Sequence, residues 1–256
     1  MKRKLFALVG VLTLITYSIG CSKNSHEQPN TKKVNVQSIT SSTSCTPENS
    51  LNPYDHIGEK HNLGVYAVVN DQDLDNGSYQ TISNSLSQWW TDNDNSVYDE
   101  ESAMYTMTTV EGDYVNNFSN IIQNSSFSNH AKSYLTYMIN ISLNPPQGLT
   151  YCQLYQMLIT AENEIIADQN LNNNERSKLL TAYAIGRYSA YNPPIVDPYV
   201  TASISRGWVT FAYDVMGYIM AYENAEANNN LENRDNLALQ GAIAASSCWC
   251  LPYNPW

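Results

Sequence analysis

His56 and His61 stand five residues apart with Glu59 between them and Asp55 just ahead. Imidazole and carboxylate so close together make zinc-assisted hydrolysis the first chemistry to weigh. The His-Glu-x-x-His pattern grips a metal because residues four apart share one face of a helix. Five residues rotate the two rings by about 140° around a regular helix. Glu59 is also displaced from the place of a general base. The spacing therefore excludes a zinc hydrolase, and the sequence predicts neither metal nor cofactor.

Other charged side chains are better candidates. Asp214 interrupts the most apolar run, residues 208–222, and shares a helical face with Phe211, Tyr218 and Tyr222. Arg187 sits in an Ala- and Tyr-rich stretch. A charge among apolar neighbours needs a partner, so Asp214 and Arg187 are expected to pair or to face water. The sharper alternative makes Asp214 an acid of shifted pKa in a Tyr-lined pocket, working with a Tyr or with His61. His61 belongs to the stripe Ile57, His61, Gly64/Val65, Val68, so it is expected in the core against Tyr or Asn. Glu162 and Glu164 are expected on a solvated face. Tyr188, Tyr191, Trp208, Trp249 and the tail 252–256 contain the rings for a stacking platform, although packing is their plainer use. Residues 71–77 imitate a calcium loop, but position six is Asn76 and position twelve is Ile82. Residues 92–95 lack the closing Glu. Both read as polar turns. No Gly-x-Ser-x-Gly elbow, Walker loop or Rossmann fingerprint occurs.

Composition narrows the class further. Apolar residues make up 43% of the 256, enough for a core and too many for a disordered chain. The formal charge is −11, with 13 bases against 24 acids. No basic face is available to displace counterions, which opposes nucleic-acid binding. The same charge opposes docking on anionic lipid.

Residues 1–20 read as a secretory signal, with Lys2, Arg3 and Lys4 before an apolar stretch, 5–17, too short for a membrane span. Its removal takes away three cations and no acid, leaving a charge of about −14. Ser18-Ile19-Gly20-Cys21 resembles a bacterial lipoprotein signal. That resemblance implies acylation of Cys21 and a membrane anchored through an N-terminal lipid. Ser22 fits the sorting pattern for the outer membrane. Residues 21–50 are Ser-, Thr-, Asn- and Lys-rich and read as a flexible tether. Cys45, Cys152, Cys248 and Cys250 then remain, an even number for an oxidising compartment. Cys248 and Cys250 are too close to pair comfortably in regular structure. One of them is therefore expected to join Cys45 or Cys152.

From residue 51 to 256 the pattern is helical. Apolar stripes at helical spacing run through 52–69, 78–90, 114–122 and 131–142, with 99–110 ambiguous between strand and helix and assigned to helix by its neighbours. Thr150 is expected to cap the next helix. Three more follow at 175–191, 200–227 and 234–250. A shift of sixty aligns Ala161 with Ala221, Asn170-Leu171 with Asn230-Leu231 and Leu179 with Leu239. Both units read as helix, Asn-rich turn and small-residue helix, which predicts an all-α multi-helix bundle built largely of αα-hairpins. Small residues at Gly186, Gly217 and 241–246 permit close helix approach, yet no run is apolar enough to span a bilayer.

Within residues 52–62, Asn-Pro-Tyr-Asp-x-x-Gly-x-x-His-Asn resembles the opening motif of a group of uncharacterised exported proteins from Bacteroidetes. Residues 183–191, Tyr-Ala-Ile-Gly-Arg-Tyr-Ser-Ala-Tyr, resemble a Tyr-rich helix of the same group. The resemblance implies an exported bacterial protein with a helical body and brings no activity with it. In the same motif Asn52 and Pro53 are expected to cap and open the first helix. The expected function is a lipid-anchored cell-envelope protein that binds a protein or glycan without catalysis. An acid/base hydrolase and a membrane-active, bacteriocin-like protein are the alternatives.

Overall fold

The computed structural model describes residues 45–71, 78–94, 96–111, 114–191 and 203–248. All regular structure among them is helical, as expected. The elements are α1 (Asp55–Val69), α2 (Tyr79–Asn93), α3 (Glu100–Glu111), α4 (Tyr114–Asn124), α5 (Asn129–Leu143), α6 (Tyr151–Ala167), α7 (Asn173–Ala190), α8 (Ser203–Ala227) and α9 (Arg234–Cys248). The ambiguous stretch is helix α3 (Glu100–Glu111). Local signals explain many of the starts. Ser78 and Thr150 form capping boxes with Thr81 and Gln153, and Ser128 and Asn172 accept bonds from the N–H groups of Ala131 and Glu175.

Three helices form the inside. α7 is buried on all sides from Lys178 to Ala190, α8 along 211–222 and α9 along 237–247. A helix apolar around its whole circumference belongs in a core. Small residues let these helices close up. A methyl group added at Gly241 would lie 2.4 Å from the Ala221 methyl and 2.8 Å from the Gly217 carbonyl. The small-residue face of the C-terminal hairpin is thus consumed in packing α8 on α9. No helix among the described residues is long and apolar enough to cross a membrane.

The other helices wrap this core. α1 lies on α7 and α9, α2 on α1 and α9, α3 on α8 and α9, and α5 on α7 and α8. α6 packs on α7 and scarcely touches either α1 or α5. On the α1 side it is stapled instead, by a disulfide from Cys45 to Cys152 with Cα atoms 5.4 Å apart. On the α5 side it is left open. The two hairpins related by the sixty-residue shift turn differently. Between α8 and α9, Asn229 takes a left-handed conformation with φ of 55°. Between α6 and α7 no described residue does so; Asp168 accepts from the Asn170 N–H, and Arg176 donates to the Asp168 and Leu171 carbonyls.

Three expectations need correction. The disulfide joins Cys45 to Cys152 rather than either to the C-terminal pair, because the N-terminal segment runs along the start of α6; Cys248 closes α9, and Cys250 lies outside the described residues. Residues 45–50 are part of the body, not tether, with Pro47 and Asn49 buried. Asn52 does not cap α1: Tyr54 occupies the cap position without a side-chain bond, while Asn52 accepts from the Tyr54 N–H through Oδ1 and turns its Nδ2 into the core. The calcium-like stretch 72–77 falls outside the described residues. Asp94 of the second such stretch ends α2, bonded to Lys60 and the Ser96 N–H, as a turn residue would be.

The disulfide spans 107 positions, and closing so long a loop in the unfolded chain has a large entropic effect. Cys152→Ser is expected to lower the unfolding free energy by about 2–5 kcal/mol. Urea unfolding under oxidising conditions measures this, and matching midpoints would show that the bridge constrains nothing.

Candidate functional site

The stretches 52–62 and 183–191 meet in space. Asn52, Asp55 and Asn62 reach toward α7. Asn52 Nδ2 donates to the Leu180 carbonyl at 2.9 Å. Asp55 accepts from Arg187 at 2.5 Å and from the Tyr188 hydroxyl at 3.1 Å. A Cβ on Gly58 would lie 2.6 Å from the Ala184 carbonyl, so α1 passes α7 at near backbone contact. Asn62 Nδ2 donates to the Tyr188 and Tyr191 carbonyls at 2.5 and 3.2 Å, satisfying the end of α7. What looked like a site in one dimension is a helix–helix joint.

Arg187 is fully buried. Its Nε donates to Glu162 at 2.9 Å and its Nη2 to Asp55. Glu162 is also fully buried and accepts from Asn49 and from Asn52 Nδ2. The expected Arg187–Asp214 pair does not form, and Glu162 is not on a solvated face. The stripe of α6 explains the second point: Leu158, Glu162 and Ile165 follow one another at four and three residues, so Glu162 occupies a core position. That spacing was legible in the sequence. The partnership with Arg187 and Asp55 was not, because it joins three elements far apart in the chain. Burial raises the Glu162 pKa, opposed by the Arg187 charge and by its hydrogen bonds.

Asp214 meets His61 instead. Asp214 Oδ2 lies 3.7 Å from His61 Nε2, too far for a hydrogen bond, and accepts one from Ser189 Oγ. His61 Nδ1 lies 3.2 Å from the Asn62 amide oxygen. The core position of His61 and its Asn neighbour are as expected. Burial pushes Asp214 up to about 8 against hydrogen bonds from Ser189 and Ser246. Burial also pushes His61 down to about 4 against bonds to Asn62 and the Ala242 backbone. Near neutrality both groups are uncharged, as desolvation requires. A serine, an acid and an imidazole are thus together, but in an order unsuited to nucleophilic catalysis. The hydroxyl bonds the carboxyl, and the imidazole stands at the far end, where it cannot take the serine proton. His61 is 1% exposed and Asp214 0%.

The accessible feature lies elsewhere. Ser133, Tyr134, Tyr137, Met157, Thr160 and Glu164 line a groove of about 320 Å³ along the open seam between α5 and α6. Tyr134 is fixed in place: its hydroxyl donates to Asp168 at 2.9 Å, and its carbonyl accepts from Tyr183 at 2.8 Å. Asp168 is held in turn by the Asn170 N–H and by His130 at 2.5 Å, and these contacts keep its carboxyl well below the usual range. Of the expected aromatic platform, Tyr188 is buried and Tyr191 packs edge-on to Tyr155. The Trp208 side chain, Trp249 and residues 252–256 lie outside what is described. No cluster of metal-ligating side chains occurs among the described residues. Compared with family models, with curated proteins and with solved structures, the chain matches none.

Two measurements test this wiring. Arg187→Met strands Glu162 as an unpaired charge and is expected to cost about 3–5 kcal/mol of stability, read by denaturant unfolding. Converting Glu162→Leu as well should restore much of that loss. Asp214 has a folded pKa above its unfolded value, so its stabilising contribution is complete below about pH 4 and is lost as pH rises through about 8. His61 has the opposite sign and acts as pH falls from about 6.5 through 4. Asp214→Asn cannot ionise. Between about pH 5 and pH 9 the stability difference should therefore move in the variant's favour by at least about 1.4 kcal/mol. Parallel pH profiles for the two proteins would contradict the raised pKa.

Proposed function

We propose that the protein is a noncatalytic binding protein of the bacterial cell envelope, held at the outer membrane by a lipid on Cys21. One observation carries the noncatalytic part. The candidate residues His61, Asp214 and Arg187, together with Ser189, are all buried and spent on helix packing. A substrate would have to displace core packing to touch them. Among the described residues, the groove between α5 and α6 is a feature a partner can reach.

Export is supported by the Cys45–Cys152 disulfide, which suits an oxidising compartment. The lipoprotein-like residues 18–21 and the likeness of 52–62 to exported Bacteroidetes proteins support the same reading. The small-residue face that a membrane-active protein would need is closed inside the α8–α9 pair.

Palmitate labelling in cells followed by membrane fractionation tests the anchor. Wild type is expected to be labelled and Cys21→Ala unlabelled and released; equal labelling would overturn it. Turnover of a chromogenic ester, glycoside or peptide that disappears in Asp214→Asn would overturn the noncatalytic reading.

A further inference from the structure

We infer that the seam between α5 and α6 docks an extended polypeptide that presents a Lys or Arg side chain a few residues from an apolar one. This rests on the reading of the protein as a binding module. The seam exists because two consecutive helices both pack on α7 and scarcely on each other. It continues along α6. Met157, which lines the groove beside Tyr137, also lines a second hollow of about 420 Å³ with Leu149, Cys152, Gln153 and Gln156. The surface there is almost wholly apolar. From Cys152 to Glu164 the helix rises about 18 Å. An extended chain covers that length in about five or six residues.

The two ends ask for different side chains. Glu164 is exposed and has no hydrogen bond or ion pair among the described residues. It stands beside Tyr134 and Tyr137, the latter 43% exposed. Burial and the neighbouring acids keep both phenols protonated, so the rings offer neutral faces beside a carboxylate. A cationic side chain is attracted by both elements. The chain's formal charge of −11 steers a basic partner in the same direction. The Tyr134 ring is already held through its hydroxyl by Asp168, so binding need not order it. The Leu149–Met157 end asks for an apolar group. The almost wholly apolar surface of that end suits an apolar side chain better than the hydroxyls of a glycan, and a polypeptide supplies a cation and an apolar side chain at a set spacing.

The test pans random heptapeptides displayed on phage against the full chain. The selected set is expected to be enriched in Lys or Arg placed about four to six positions from an apolar residue. A synthetic peptide from that set should bind wild type and bind both Glu164→Gln and Tyr137→Ala about fivefold or more weakly, with an affinity that falls as salt rises. Both positions are exposed, and circular dichroism verifies that the variants fold. A selected set no richer in cations than the library, or affinities indifferent to both variants, would overturn the inference. If no peptide is selected but chitohexaose shifts the resonances of Tyr137 and Thr160, the polypeptide falls as partner and the binding role stands.

Discussion

A guanidinium with no access to water is the constraint around which this bundle is arranged. Arg187 cannot shed its charge, so burying it requires carboxylates and hydrogen-bond acceptors at fixed places. Two carboxylates meet it, Glu162 from α6 and Asp55 from the start of α1, and the amides of Asn49 and Asn52 donate in turn to Glu162. Each contact fixes one element against α7. The segment 45–55 is pinned to α6, α1 is set in register on α7, and the Cys45–Cys152 bridge closes the same junction covalently. An apolar substitute of the same size would fill the space without dictating which helix lies where. The directional bonds of the network supply that specification.

A second polar cluster sits less than two turns along α1, at His61, and solves burial in the opposite way. His61, Asp214, Ser189 and Ser246 carry no net charge near neutrality, because desolvation favours the neutral acid and the neutral imidazole. The two clusters together explain why α1 is so polar for a helix in contact with the core. Asp55 and Asn62 bond to groups on α7, and His61 is packed beside Asp214 of α8. Residue types that suggest catalysis are here used for joining helices, and the closeness of the backbones at Gly58 leaves no room for a cleft between them.

The same economy leaves α6 as the least enclosed helix. One flank is stapled to the N-terminal segment, the inner face rests on α7, and the remaining flank faces α5 across an open seam. A rigid floor with a stapled edge and an uncovered aromatic wall is a reasonable way to build a binding surface, since binding there need not order the walls. The specifying interactions lie inside the bundle, away from that seam.

The helical class, the element limits near Val69, Thr150 and Ala227, and the burial of His61 were all determined by the sequence. Period, capping residues and turn residues are local properties, and local properties are written in neighbouring positions. Even the burial of Glu162 could be read from its place between Leu158 and Ile165. Which buried charge meets which was decided only in three dimensions. Arg187 and Asp214 each required a partner, and pairing them was economical, but they project from α7 and α8 into different clusters. Arg187 faces α6 and α1, and Asp214 faces His61 of α1. Cys45 likewise met Cys152 because a short polar segment lies along the start of α6. Nothing within a few residues of either cysteine encodes that path. Charge pairing and disulfide choice depend on distances between elements remote in the chain, and those distances follow from how the helices pack, which no single stretch contains.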